Sequence, residues 1–173
     1  MSAPSFFPPT FNAFRREWYG KHLSAMGEPS LVEIASRGDA AARFLWLRTF
    51  HQPIVVRVQA ADDAFRLVAT RLSGMGGYAP GVVESRTERV LSANEWRRLE
   101  EALRDAAFEA IPAELNTLGA DGAQWIIERA KDGVYRVVDR WSPEPTGADA
   151  AFRAACDTFL DLAGEQIVTG AVY

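Results

Sequence analysis

The chain has 173 residues, of which 48% are hydrophobic and 24% charged, and a formal charge of -4; this is the composition of one globular domain rather than of a disordered chain. The acidic balance argues against nucleic acid as a partner, a single cysteine rules out an intramolecular disulfide, and no stretch approaches the ~20 apolar residues of a membrane span. The N-terminus lacks a basic start followed by an unbroken apolar run, so no secretory signal is read, and a cytoplasmic protein forming one domain over 1–173 is expected.

Residues Ser2 to Pro9 are small, aromatic and proline-rich, and read as an extended lead-in packed by Phe6 and Phe7. Thr10 or Asn12 can cap a following helix, in which Phe11, Phe14 and Trp18 share one face with Leu23 and Met26 near it. Gly27 and Pro29 end it, and "SLVEIASRG" offers a short helical turn started by Ser30. "ARFLWLRTF" and "IVVRVQA", separated by "HQP", read as a β-hairpin. "FRLVATRLS" is the next strand, with Phe65, Leu67, Ala69 and Arg71 on one face. The glycine-rich link "GMGGYAPG" leads to "VVESRTERVL", where Glu84, Arg86 and Glu88 mark a solvated face.

The helix over "SANEWRRLEEALRDAAFEAI" is announced by Ser92 and Glu95 at capping-box spacing and by the stripe Trp96, Leu99, Leu103, Ala106 and Ala110, with Pro112 closing it. A hairpin follows over Gly122 to Pro143. The last helix carries Phe152, Cys156, Phe159, Leu160 and Ala163 on one face and stops at Gly164; "EQIVTGAVY" then adds an edge strand or hangs free. Short links between strands favour antiparallel pairing. The expected fold is therefore α+β, a mostly antiparallel sheet of about six strands with helices packed on one face, in the order α-β-β-β-β-α-β-β-α.

In the late hairpin, a two-residue turn at Asp132-Gly133 sets Arg129 opposite Arg136, which like charges disfavour. A three-residue turn from Lys131 to Gly133 instead sets Glu128 opposite Arg136 and Ile126 opposite Val138, and this register is the one expected. Trp125 and Trp141 then pack against the terminal helix rather than forming a stacking platform, and Asp121, Glu128 and Asp139 are ion-pair partners rather than a catalytic carboxylate set.

Catalytic patterns are sparse. His22 and His51 have no second ligand at metal spacing, so no metal site is expected. Cys156 lies on an apolar stripe, where a thiol is inert, and no G-x-S-x-G occurs. "SGMGGYAPG" lacks the Lys-Ser/Thr ending of a phosphate loop and lies between strands. No catalytic residue and no cofactor is assigned. Glu28, held extended before Pro29, Arg48, His51 and Tyr78 remain as candidate ligand-binding residues of a pocket near the His51 and Tyr78 loops. Arg43, Arg48, Arg57, Arg66 and Arg71 are expected to line a largely solvated, mixed-charge sheet face.

Taken together, "EPSL" (Glu28 to Leu31), "RFLWLRTFHQPIVVRV" (Arg43 to Val58), "DGAQWIIE" (Asp121 to Glu128) and "YRVVDRWSP" (Tyr135 to Pro143) resemble a group of small uncharacterised bacterial proteins. The resemblance implies a bacterial, cytoplasmic, single-domain protein and assigns no residue a role. The reading expected first is a non-enzymatic protein-interaction module, of the immunity or accessory kind, with a protein partner or self-association. A small-molecule binder or an unrecognised enzyme is the alternative.

Overall fold

The computed structural model describes residues 5–61, 63–115 and 119–173; residues 1–4 of the expected lead-in lie outside them. Helix α1 (Ala13–Ala25) begins where Asn12 accepts a bond from the Arg15 N–H, and α2 (Leu31–Ser36) where Ser30 accepts one from Glu33. Then come β1 (Ala41–Arg48), β2 (Ile54–Ala61), β3 (Ala64–Leu72), β4 (Val83–Leu91), α3 (Ala93–Asp105), β5 (Ala123–Lys131), β6 (Val134–Trp141) and α4 (Ala150–Ala163). The protein is α+β. Its six strands form one antiparallel sheet in the order β4-β3-β2-β1-β5-β6.

The helices cover both faces of the sheet, where one face was expected. On β1, Phe44 and Trp46 pack with α3 and α4, while Leu45 and Leu47 pack with Tyr19 and Leu23 of α1. The run "FLWL" has no polar alternation, and a strand buried on both sides reads as such a continuous run. The α4 side holds the larger core, where Phe44, Trp46, Trp125 and Phe159 meet ring to ring. Cys156 is buried there, and burial pushes its thiol well above its ordinary value.

Helix α1 is rolled away from its expected orientation. Tyr19, His22 and Leu23 face inward, and Phe14 is 72% exposed. Phe7 and Phe11 stack at 5.1 Å beside Tyr19 and fill the layer that Phe14 would have entered. The polar tips on the inward side find partners: the Tyr19 hydroxyl donates to Asp139 at 2.7 Å, and the His22 ring nitrogens lie 3.1 and 3.3 Å from the Trp18 and Met75 carbonyls. Burying an amphipathic side chain costs little once its polar end is bonded.

Helix α3 carries the expected capping box and ends at Asp105, short of Pro112. The stripe is buried at Leu99, Leu103 and Ala106, and Trp96 stacks on Phe65 at 3.7 Å. Gly164, with φ 78, ends α4 as expected. The tail beyond it forms no strand.

The β5–β6 hairpin takes the two-residue turn that charge pairing argued against. Arg129 pairs with Arg136, Ile127 with Val138 and Ile126 with Asp139. Asp132 and Gly133 have φ 51 and 76, the paired positive values of a turn whose twist matches that of the flanking strands. The two arginines lie opposite each other, and each is held by its own acceptors. Arg129 reaches Glu100 and Glu109, and Arg136 reaches the Phe108 and Ile111 carbonyls. Glu128 instead faces Arg43 across β1.

The strand arginines also depart from expectation. Arg43 and Arg48 are fully buried, Arg57 is half-buried, and only Arg66 and Arg71 sit beside exposed acids, Glu88 and Glu84. Arg43 makes a two-point bond to Glu128 at 2.7 and 2.8 Å, with Tyr135 donating to the same carboxylate. Burial works against the guanidinium, but Glu128 and Glu28 outweigh it and hold Arg43 above its ordinary pKa.

Candidate functional site

The glycine-rich link between β3 and β4 is a tight, pinned turn. The Gly76 N–H bonds to the His51 carbonyl and the Gly77 N–H to Thr49. A methyl group on Gly76 would stand 2.6 Å from the Arg48 carbonyl, so the backbone approach requires glycine. From the other side, the Trp18 indole donates to the Gly76 carbonyl at 2.7 Å, and His22 reaches Met75. Helix α1, this loop and the ends of β5 and β6 thus enclose a cleft of about 750 Å³.

Gln124 and Trp141, register partners on β5 and β6, line the cleft on the sheet side. Phe14, Arg15, Trp18 and Lys21 line it from α1, and Tyr78 and Thr49 from the loops. Gln124 is 95% buried, at 5% exposure, yet its Oε1 has no hydrogen-bond partner, and its amide bonds to no described residue. The rim is open and carries aromatic pairs beside its charges: Phe14 lies against Trp18, and Phe50 against Tyr78.

One step deeper on the same sheet face sits a charged cluster. Arg15 approaches Asp139 at 3.1 Å and Glu114 at 2.7 Å, and Tyr19 donates to Asp139. Burial pushes the Asp139 carboxyl from 3.8 up to about 6, against the opposing pull of Tyr19 and Arg15. Burial beside this carboxylate also drives the Tyr19 phenol far above its ordinary value, so it serves as a hydrogen-bond donor.

Neither a family model nor a curated protein matches this chain.

The four candidate residues do not converge. Tyr78 lines the cleft. Glu28 is buried beneath the sheet, 2.8 Å from Arg57 and 3.4 Å from Arg43, as part of the ion cluster that includes Glu128. Arg48 lies over the Trp46 ring at 4.1 Å and donates to the Thr169 and Ala171 carbonyls, and the His51 Nδ1 lies 2.6 Å from the Tyr173 hydroxyl. Arg48 and His51 therefore meet around the C-terminal tail. Thr49, between them in sequence, faces the cleft. Trp125 is buried glue in the α4 core, while Trp141 is half-buried and lines the cleft.

Sequence reasoning passed over Gln124. Its signal was present: an amide in the apolar first half of β5, two residues before Ile126 and so on the same face. Chemically the cleft offers flat apolar surfaces, one uncommitted amide and rim charges. It holds no histidine or cysteine, and among the described residues no group of three His, Cys, Asp or Glu is placed to hold a metal ion.

Proposed function

We propose that this protein is a non-enzymatic binding protein and that the cleft between α1 and the β5–β6 ends receives a small ligand carrying a flat apolar group and an amide-like polar edge. The unpartnered Gln124 amide carries this reading. A buried polar group without a bond is costly in the free protein, and a ligand able to bond to it recovers that cost. The cleft volume, with polar side chains set among Phe14, Trp18, Tyr78 and Trp141, suits a small-molecule site. The absence of any nucleophile–base pair among the cleft residues favours binding over catalysis.

The exposed rim supports a second reading, a protein-interaction module. Phe14, Phe50, Met75 and Tyr78 are 72%, 52%, 47% and 55% exposed, Phe50 lies against Tyr78, and exposed apolar side chains beside a cleft suit a docking face. In that case a partner's side chain enters the cleft. A bacterial, cytoplasmic setting belongs to the same proposal, and the single buried cysteine suits it.

The test is a titration of a panel of small aromatic and amide-bearing compounds, followed by tryptophan fluorescence and backbone amide NMR. Binders should move the resonances of Gln124, Trp141 and Tyr78. They should bind Gln124→Leu at least ten-fold more weakly, although that variant should fold as stably as the native chain, because the Gln124 Oε1 has no partner among the described residues. No binder below millimolar, or binders that treat Gln124→Leu as native, would overturn the small-ligand reading. A protein partner would instead be lost on Phe14→Ser and Tyr78→Ser.

A further inference from the structure

The two edges of the sheet are unequal. At the β6 edge, the Asp139 N–H donates to the Ala113 carbonyl and Glu114 bridges alongside, while Arg140 bonds to the Pro112 and Ala113 carbonyls. The β4 edge carries no such cover: among the described residues, β3 is its only strand partner, and no backbone bond reaches its outer side. An uncovered edge of nine residues presents a row of unpaired N–H and C=O groups to another strand. Charges usually guard such an edge, and β4 reads V-E-S-R-T-E-R-V-L from Val83 to Leu91.

The charges are arranged so that the strand fits its own copy. Two copies of β4 can pair antiparallel about a two-fold axis, with residues i and j facing each other at a constant sum of their numbers. Full overlap of Val83–Leu91 puts Thr87 on the axis. In that register Arg86 faces Glu88 of the second copy and Glu88 faces Arg86, two opposite-charge pairs related by symmetry. Val83 faces Leu91, Ser85 faces Arg89, and Thr87 faces itself, a favourable cross-strand pair. Sliding by two residues one way places Arg86 on Arg86 and Glu84 on Glu88; sliding two the other way places Glu88 on Glu88. Both offsets set like charges in contact. The charge pattern therefore permits the register that uses every residue of the strand and penalises its neighbours. The exposed Arg86 and Glu88 side chains leave this surface accessible.

We propose that the β4 edge is a self-association surface, at which a second copy of this chain pairs antiparallel about Thr87 to give a continuous twelve-stranded sheet, six strands from each copy. It shares no residue with the cleft, whose lining runs from α1 and the β5–β6 ends to Tyr78 in the link before β4.

The experiment is sedimentation equilibrium of the full chain from micromolar to about millimolar concentration, paired with oxidation of two cysteine variants. Native protein should form a concentration-dependent dimer that weakens with salt. Arg86→Glu and Glu88→Arg should each weaken it roughly ten-fold or more, and the double exchange should restore it, since the pairs are then reversed rather than lost. Arg86 also donates to the Met26 carbonyl, so its variants are checked by thermal melting. A second measurement stands apart from that: Thr87→Cys should oxidise readily to a linked dimer, because paired Cα atoms on the axis lie within disulfide reach. Glu84→Cys should not, being some 20 Å from its copy in this register. A monomer at all concentrations, a double exchange that stays as weak as the singles, or equal linking at positions 84 and 87 overturns the proposal.

Discussion

Arg43 on β1 and Glu128 on β5 are register partners, and their side chains form a two-point ion pair with no solvent exposure. The pair is anchored at both ends, by the Pro29 carbonyl on the arginine and the Tyr135 hydroxyl on the glutamate. Its worth lies in completeness. Removing one partner leaves a charge stranded in a dry site, while replacing both by apolar groups strands neither charge and frees only the Pro29 carbonyl and the Tyr135 hydroxyl. Glu128→Gln and Arg43→Met should each lower unfolding stability by about 3–5 kcal/mol. The double variant Arg43→Met/Glu128→Leu should lose clearly less than the sum. Urea denaturation of the four proteins measures this, and strict additivity would show that the two side chains do not act as a pair.

Two glycines test two different reasons for glycine. Gly133 has φ 76 and open space around its missing side chain, so Gly133→Ala should cost only the left-handed strain, about 1–2 kcal/mol. A methyl group on Gly76 would meet the backbone of Leu47 and Arg48 within 2.7 Å. Gly76→Ala has to push the loop off β1, releasing Trp18 and His22 from their carbonyls, and should cost more than Gly133→Ala. It should also change the fluorescence of Trp18. Equal thermal shifts for the two variants would rule out the close-approach account.

The parts of the fold legible in the sequence were those set by local chemistry. Ser92 and Glu95 satisfy each other's backbone donors within one turn, and Gly164 supplies a left-handed stop; both are decided within a few residues. The misses were decided at a distance. Arg129 beside Arg136 looked unfavourable because the acceptors, Glu100, Glu109 and the Phe108 carbonyl, come from outside the hairpin. Helix α1 offered two competing stripes, and the one with polar tips turned inward because Asp139 and the Met75 carbonyl were waiting, more than fifty residues away in sequence. The same roll put Phe14 and Trp18 on the cleft. Of the candidate site, Tyr78 was foreseen and Gln124 was not, since the lack of a partner is a property of the folded state alone.

Asp139 and His22 should pull stability in opposite directions with pH. Burial pushes Asp139 from 3.8 up to about 6, among Arg15, Glu114 and Arg140, so between those values the folded state holds the extra proton and stability falls as pH rises. Burial, with Lys21 adding to it, lowers His22 from 6.5 to about 4. Over that range the unfolded state holds the extra proton, and stability rises with pH. The two effects overlap between about pH 4 and 6 and largely cancel in the native chain. Asp139→Asn should leave stability rising across this window relative to native, and His22→Gln should leave it falling, each by about 2–3 kcal/mol at most. Chemical denaturation at half-unit pH steps measures both slopes. Parallel profiles for the three proteins would show that neither group titrates in this range.

Arg48 should behave as a fastening for the tail and not as part of the cleft. Its guanidinium donates to the Thr169, Ala171 and Gln52 carbonyls and rests on Trp46, while its Nε is buried without a partner. Burial lowers its pKa, so the charge is held at a cost. Arg48→Met keeps the stem against Trp46 and removes both that cost and the bonds. Global stability should therefore change by only about 1–2 kcal/mol, while the tail loses the bonds at Thr169 and Ala171 and keeps those of Tyr173 to the Trp125 indole and His51. Amide hydrogen exchange should accelerate there and stay unchanged at Gln124 and Trp141. His51→Ala, which removes the contacts of the imidazole to the Tyr173 hydroxyl and ring, should loosen the same segment less. If exchange rises at the cleft and not at the tail, Arg48 belongs to the binding site, and its assignment as a scaffold residue falls.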